Sequence, residues 1–196
     1  MFEYLPLTNH IKDMYCNPSL SQKMSYQLSF TYSPTTFKDV FSGSHYHWSR
    51  SSSMVLPVPI DISVTPGMLC LVSLTDGFQI FCQACGGSAT CWPIITINFN
   101  LPPSECIHMD NIIPITIIPG PKSPKDINSF FHPLINECKL LAKGVHACDA
   151  AHNESFDLHV LYPIAIHGDM QAIKHCTNLK GSNAFCPCCT CLIQAT

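Results

Sequence analysis

Two aspartates stand where apolar runs end. LCLVSLTDGF (69–78) stops at Asp76-Gly77, and SFDLHVLYPIAIHGDMQ (155–171) stops at Gly168-Asp169. An acid just past an apolar strand is held at a sheet edge. Two such acids brought together suit Mg²⁺ (or Mn²⁺), which takes one or two carboxylates and fills its shell with substrate phosphate oxygens. Two ions about 4 Å apart activate an attacking oxygen and stabilise a leaving one in phosphodiester chemistry. Each acid also has a plainer role open to it, since Asp-Gly is a common turn pair and Asp169 can cap a helix.

Three other groups are candidates. FCPCCTC (185–191) sets Cys186 and Cys189, and Cys188 and Cys191, in overlapping CxxC registers, half of a tetrahedral Zn²⁺ site. Cys176 or His175 could complete it; free thiols are the alternative. GPKSPKD (120–126) puts Lys122 and Lys125 on a Pro-rich loop before a helix, where lysines, backbone N–H groups and the helix dipole hold phosphate, or where the loop is merely solvated. Cys82, Cys85 and Cys91 form a second thiol group, and His45 and His47 lie in an aromatic stretch, DVFSGSHYHW (39–48). Both are more simply loop or packing residues.

Those residues need a scaffold. The chain has 196 residues, 46% hydrophobic and only 12% charged, enough for one domain with a real core and a surface poor in charge. Sixteen prolines favour strands and rigid loops over a helical bundle. The net charge of −3 excludes a uniformly basic nucleic-acid binder; six of the ten basic residues follow Pro121. Thirteen cysteines invite a secreted disulfide scaffold, but MFEYLPLTNHIKDMY shows no basic region followed by an apolar core, so reduced thiols in a cytosolic or nuclear protein are expected. No apolar stretch is long and unbroken enough to span a membrane.

Residues 1–53 read as an irregular N-terminal arm ending in the Ser-rich linker SRSSS, and residues 54–196 as the domain. Strands are predicted over 68–74, 91–99, 112–118 and 156–166. A helix is predicted from Ser123 or Asp126 to Gly144, with Ile127, Phe130, Phe131, Leu134, Ile135, Cys138 and Leu141 on one face. A short helix follows over 169–180. Three strands in a meander, a helix, and a fourth strand returning beside the first make a mixed α/β sheet of the ribonuclease-H type. That arrangement sets Asp76 and Asp169 on neighbouring strands.

In order, TDGF (75–78), CWPIITINFNLPP (91–103), IIPGPKSPKDINSFFHPLI (117–135), GV (144–145), GDMQA (168–172) and KGSNAFCPCCTC (180–191) resemble the blocks of CACTA (En/Spm-type) DNA transposases, their fungal branch in particular. DVFSGSHY (39–46) resembles the segment preceding their catalytic region. The resemblance implies a ribonuclease-H-like nuclear enzyme that cuts and transfers DNA at transposon ends, using an acidic triad and Mg²⁺ or Mn²⁺, with no membrane association and with oligomerisation left open. Asp76 matches the first acid and Asp169 the second. The third, a Glu, belongs beyond the cysteine cluster, together with a His of the zinc site. The chain is therefore expected to be an incomplete ribonuclease-H-like fragment, inactive alone. Pro163 in a central strand and Gln171 in place of the family's Pro point the same way. The rival reading is a non-catalytic, zinc-stabilised DNA- or protein-binding module.

Overall fold

A computed structural model describes residues 2–33, 35–44, 67–79, 90–120, 123–177, 180 and 184–185, leaving aside the side chains of 161–165 and 170–171. Six strands among them form one mixed sheet: β1 (Met68–Thr75), β2 (Phe78–Gln79), β3 (Thr90–Asn98), β4 (Ile113–Pro119), β5 (Val145–Asp149) and β6 (Glu154–His167). The helices are α1 (Leu7–Cys16), α2 (Pro18–Lys23), α3 (Tyr26–Ser29), α4 (Pro103–Cys106), α5 (Asn128–Leu141) and α6 (Met170–Thr177).

β1 is central. It runs antiparallel to β3 on one side and parallel to β6 on the other, and β4 closes the far edge of β3. This is the meander with a returning fourth strand expected of a ribonuclease-H-type order. β1 is an unbroken apolar run because both of its faces are covered. Leu69 and Leu71 enter the main core with α1 and α5, while Met68 and Cys70 meet Phe41 on the opposite face. In β3 the burial alternates, with Trp92, Ile94, Thr96 and Asn98 turned inward. The aromatic 39–48 stretch thus docks at least Phe41 on the sheet; His45 and His47 lie outside the described residues.

β5 is an additional strand. It makes an antiparallel hairpin with the first residues of β6, from Asp149↔Glu154 to Val145↔Leu158. Five residues with mixed polarity carry too weak a pattern to be read locally; pairing with β6 makes the strand. Beyond Leu158, β6 has β1 as its only strand neighbour among the described residues. That explains how Pro163 is tolerated. Proline has no N–H for a ladder and is confined to edges and bulges. Here the register also slips: Leu69 pairs with Val160, but Val72 pairs with Ala165. Over the same stretch β6 spends two residues more than β1, and Pro163 lies inside the slip.

α5 begins at Asn128, where Asp126 accepts the Asn128 N–H at 3.0 Å and the Ser129 hydroxyl. The Ser129 hydrogen bond, aided by the backbone N–H groups, holds the Asp126 carboxyl below its usual range. The helix stops at Gly144, whose φ of +94° is readily adopted only by glycine. Its predicted face is buried at Ile127, Phe131, Leu134 and Leu141, while Ile135 turns outward.

The N-terminal segment differs from the irregular arm expected. α1 places Leu7, Ile11, Met14 and Tyr15 in the main core, at i, i+4, i+7 and i+8 of one helix face. Asn17 accepts the Ser19 and Leu20 N–H groups and starts α2. The Leu5 N–H donates to the Ile115 carbonyl at 2.8 Å, so the N-terminal residues also cover the edge of β4. The expected boundary at 53/54 falls outside the described residues.

Glu137 of α5 locks this segment down. Its carboxylate accepts the Leu7 N–H at 2.9 Å, the Thr8 N–H at 2.7 Å and the Tyr4 hydroxyl. It caps a helix whose own N-cap residue is Pro6, which offers no side-chain hydrogen bond. Partial burial pushes the Glu137 carboxyl up, but hydrogen bonds from Thr8, Tyr4 and the backbone outweigh it, and the net shift is downward. A depressed carboxylate stabilises the fold above its unfolded value, and the gain is lost as pH falls through the folded value. Glu137→Gln is expected to cost about 2 kcal/mol at neutral pH, the loss of hydrogen bonds to a charged acceptor. Urea unfolding checks this: the gap between wild type and variant should close below the ordinary glutamate value of 4.5.

Candidate active site at the strand ends

Beyond the slip the β1–β6 ladder is regular: Val72↔Ala165, Ser73↔Ile166 and Leu74↔His167. Asp76 lies two residues past Leu74, and Asp169 two residues past His167, so the acids leave adjacent parallel strands at the same level. An independent contact agrees. A Cβ added to Gly168 would sit 2.7 Å from the Thr75 carbonyl oxygen, so the residues preceding the two acids touch backbone to backbone. Without the two extra residues of β6, the register of Leu69↔Val160 would set His167, not Asp169, opposite Asp76. The structure therefore places the two acids two residues past paired positions on neighbouring parallel strands.

Each acid also performs its plainer role. Asp76 Oδ1 accepts the Gly77 N–H at 2.7 Å, and Asp169 Oδ1 accepts the Ala172 N–H at 2.7 Å, capping α6. Both residues are exposed. Among the described residues, Oδ2 of neither accepts a hydrogen bond, and neither acid has a cationic partner. One oxygen of each is thus held by backbone while the other is available. Two exposed carboxylates with available oxygens, level with each other on neighbouring strands, fit a hard divalent ion. Among the described residues no group of three or more His, Cys, Asp and Glu side chains is placed to hold a metal, so this pair is the extent of the donor set there.

Trp92 backs the acid turn. The β1–β3 and β3–β2 ladders share one register, Thr75↔Ile94 and Phe78↔Cys91, with Asp76-Gly77 as the break between them. The indole lies over Gly77, and it also meets the His175 ring of α6 edge-on, with centroids 5.8 Å apart. Sequence reasoning missed Trp92; its signal was an aromatic residue before Pro93 at the start of a strand pairing with Asp-Gly. Asn100 was missed too. Buried after β3, it accepts the Cys70 N–H at 2.7 Å and donates to the Met68 carbonyl at 2.6 Å, pinning the start of β1. The asparagines of the INFN stretch (97–100) were the visible sign.

The other candidates fall partly among the described residues. Lys125 is exposed, on the loop before α5, and the first turn of that helix is already occupied by Asp126. Lys122, Cys82, Cys85, Cys186, Cys188, Cys189 and Cys191 lie outside the described residues. Cys91 is buried, and burial pushes its thiol up. Cys176 is half-buried with its thiol also raised by burial. The seven cysteines among the described residues are all free. No helix among the described residues is long and apolar enough to cross a membrane.

The fold and site define a mixed α/β protein that presents two carboxylates at the ends of parallel neighbours. Residues 62–196, which include the whole sheet and both acids, match the family model described as Transposase family tnp2, and the chain belongs to that family. No curated protein matches it, and no solved structure does.

Three substitutions test the geometry. Gly168→Ala forces a methyl against the Thr75 carbonyl and should destabilise by about 1–3 kcal/mol, the usual cost of overpacking. Asp169→Ala should cost about 1 kcal/mol through the lost helix cap, and Asp169→Asn, which keeps an accepting oxygen, much less. Denaturant unfolding of the three variants against wild type measures all of these.

Proposed function

We propose that this chain is the acid-pair part of a cut-and-paste DNA transposase of the CACTA (En/Spm) type, of its fungal branch, working in the nucleus on transposon ends. Membership in the tnp2 family supports the transposase part, and the ordered sequence blocks support the finer assignment. The observation that carries the active-site reading is the parallel register that sets Asp76 level with Asp169.

Asp76 and Asp169 would hold Mg²⁺ or Mn²⁺, which supplies activation of the attacking oxygen and charge neutralisation at a phosphodiester. The chain's own residues orient these ligands. The Gly77 and Ala172 N–H groups each fix one carboxylate oxygen. The Gly168–Thr75 contact sets how closely the two turns approach. Lys122 and Lys125 contribute phosphate contacts that position the duplex without reading its sequence. The thiolates of Cys186, Cys188, Cys189 and Cys191 serve as half of a Zn²⁺ site. With two acids of the triad among its 196 residues, the chain by itself is expected to show little or no cleavage.

Mn²⁺ titration of the chain tests the pair. Asp76→Asn and Asp169→Asn should each weaken binding at least tenfold, about 1.4 kcal/mol, with little change in unfolding midpoint. Unaltered affinity in both variants would sink the shared site. A nicking assay on element-end DNA, with the same variants, checks the low cleavage expected. Strong cleavage that both substitutions abolish would show that two acids suffice.

A further inference from the structure

We infer that Trp92 is the positioning residue for both acid-bearing turns, acting on Asp76 through Gly77 and on Asp169 through α6; this rests on the reading of the two acids as a metal pair. The shared antiparallel register sets Gly77 against Trp92 and Asp76 against Pro93, because Thr75 pairs with Ile94 and Phe78 with Cys91. Pro93 has no N–H to donate, so the ladder is interrupted opposite the acid. Strand pairing does not hold Asp76-Gly77, and the indole does. A Cβ on Gly77 would lie 2.6 Å from Trp92 Cε2 and Cζ2, so the ring rests directly on the glycine backbone. An aromatic ring covering a cross-strand glycine is a known means of pinning a strand.

The same ring also meets α6. The Trp92 and His175 rings meet at an interplanar angle of 82°. His175 lies in the helix whose first turn Asp169 caps, and Ala172, whose N–H that cap accepts, is fully buried in the same core as Trp92. Trp92 is only 9% exposed. A rigid ring with two rotatable bonds, in contact with both Gly77 and His175, transmits any displacement of one turn to the other. The indole has no part in the reaction itself; it acts through where the carboxylates sit.

The test is Mn²⁺ affinity of the whole chain, read by electron paramagnetic resonance of the free ion, together with amide NMR shifts of the metal-free protein. Trp92→Leu should weaken Mn²⁺ binding by about 10- to 100-fold, as when residues supporting metal ligands are removed. It should also move the Gly77 and Ala172 amides together. Trp92→Phe, which keeps a ring, should recover most of the affinity. Gly77→Ala pushes a methyl into the indole and should weaken binding alone, yet add nothing to Trp92→Leu, which makes room. A residue that merely packs would lower the unfolding midpoint in Trp92→Leu but leave folded-state Mn²⁺ affinity and both amides unchanged; that result overturns the inference. If Asp76→Asn and Asp169→Asn do not change Mn²⁺ binding, the metal pair fails instead. The metal-free amides then decide: joint movement in Trp92→Leu upholds the coupling of the turns, and unmoved amides refute it.

Discussion

Everything at the candidate site depends on the register of β6 against β1. Parallel strands have no hairpin to set their alignment; it is set by packing and by any irregularity in the ladder. Here the irregularity is large. β6 meets β1 with His159 beside Met68 and leaves it with His167 beside Leu74. The two residues gained around Pro163 bring Asp169, instead of His167, level with Asp76. A shift of two is even, so the pairs before and after the slip keep the same inward–outward phase while the strand end is re-aligned. A proline that reads as damage to a central strand lies within the very slip that aligns the acids.

The rest of the fold stabilises that alignment from a distance. Asn100 fastens the start of β1, so the strand cannot slide along β3. β5 pairs with the first residues of β6, and beyond them β1 is the one strand neighbour of β6 among the described residues, which leaves room for the slip. α1 and α5 cover one face of the sheet, joined by the Glu137 carboxylate, and Phe41 covers part of the other. The two acids are exposed, and among the described residues each carboxylate accepts one backbone N–H.

Much of the architecture was legible in the chain. Apolar runs bounded by Pro, Gly and Asn located β1, β3, β4 and β6 nearly to the residue, because their side chains must fill a core whatever their partners. The helical period of 127–141 located α5, and Asp126 and Gly144 marked its limits. The N-terminal helices were obscured by scattered polar residues, although Leu7, Ile11 and Met14 do follow a helical spacing. β5 was not visible, since its reason for being a strand is a neighbour rather than its own composition.

By itself the sequence determined the elements, the two acids at the exits of apolar strands, and the ordered blocks that point to a transposase. Those features are local: strand propensity, helix period and turn chemistry depend on residues a few positions apart. Only the tertiary structure decided that the acids lie level, that Pro163 falls within a register slip, that Trp92 fills the space over Gly77, and that Glu137 caps a helix far away in the chain. Register, cross-strand cover and remote capping arise between segments distant in sequence, and no local pattern encodes the distance between them. The acid pair is thus written in the chain as two separate residues and becomes one candidate site through the alignment of β1 and β6.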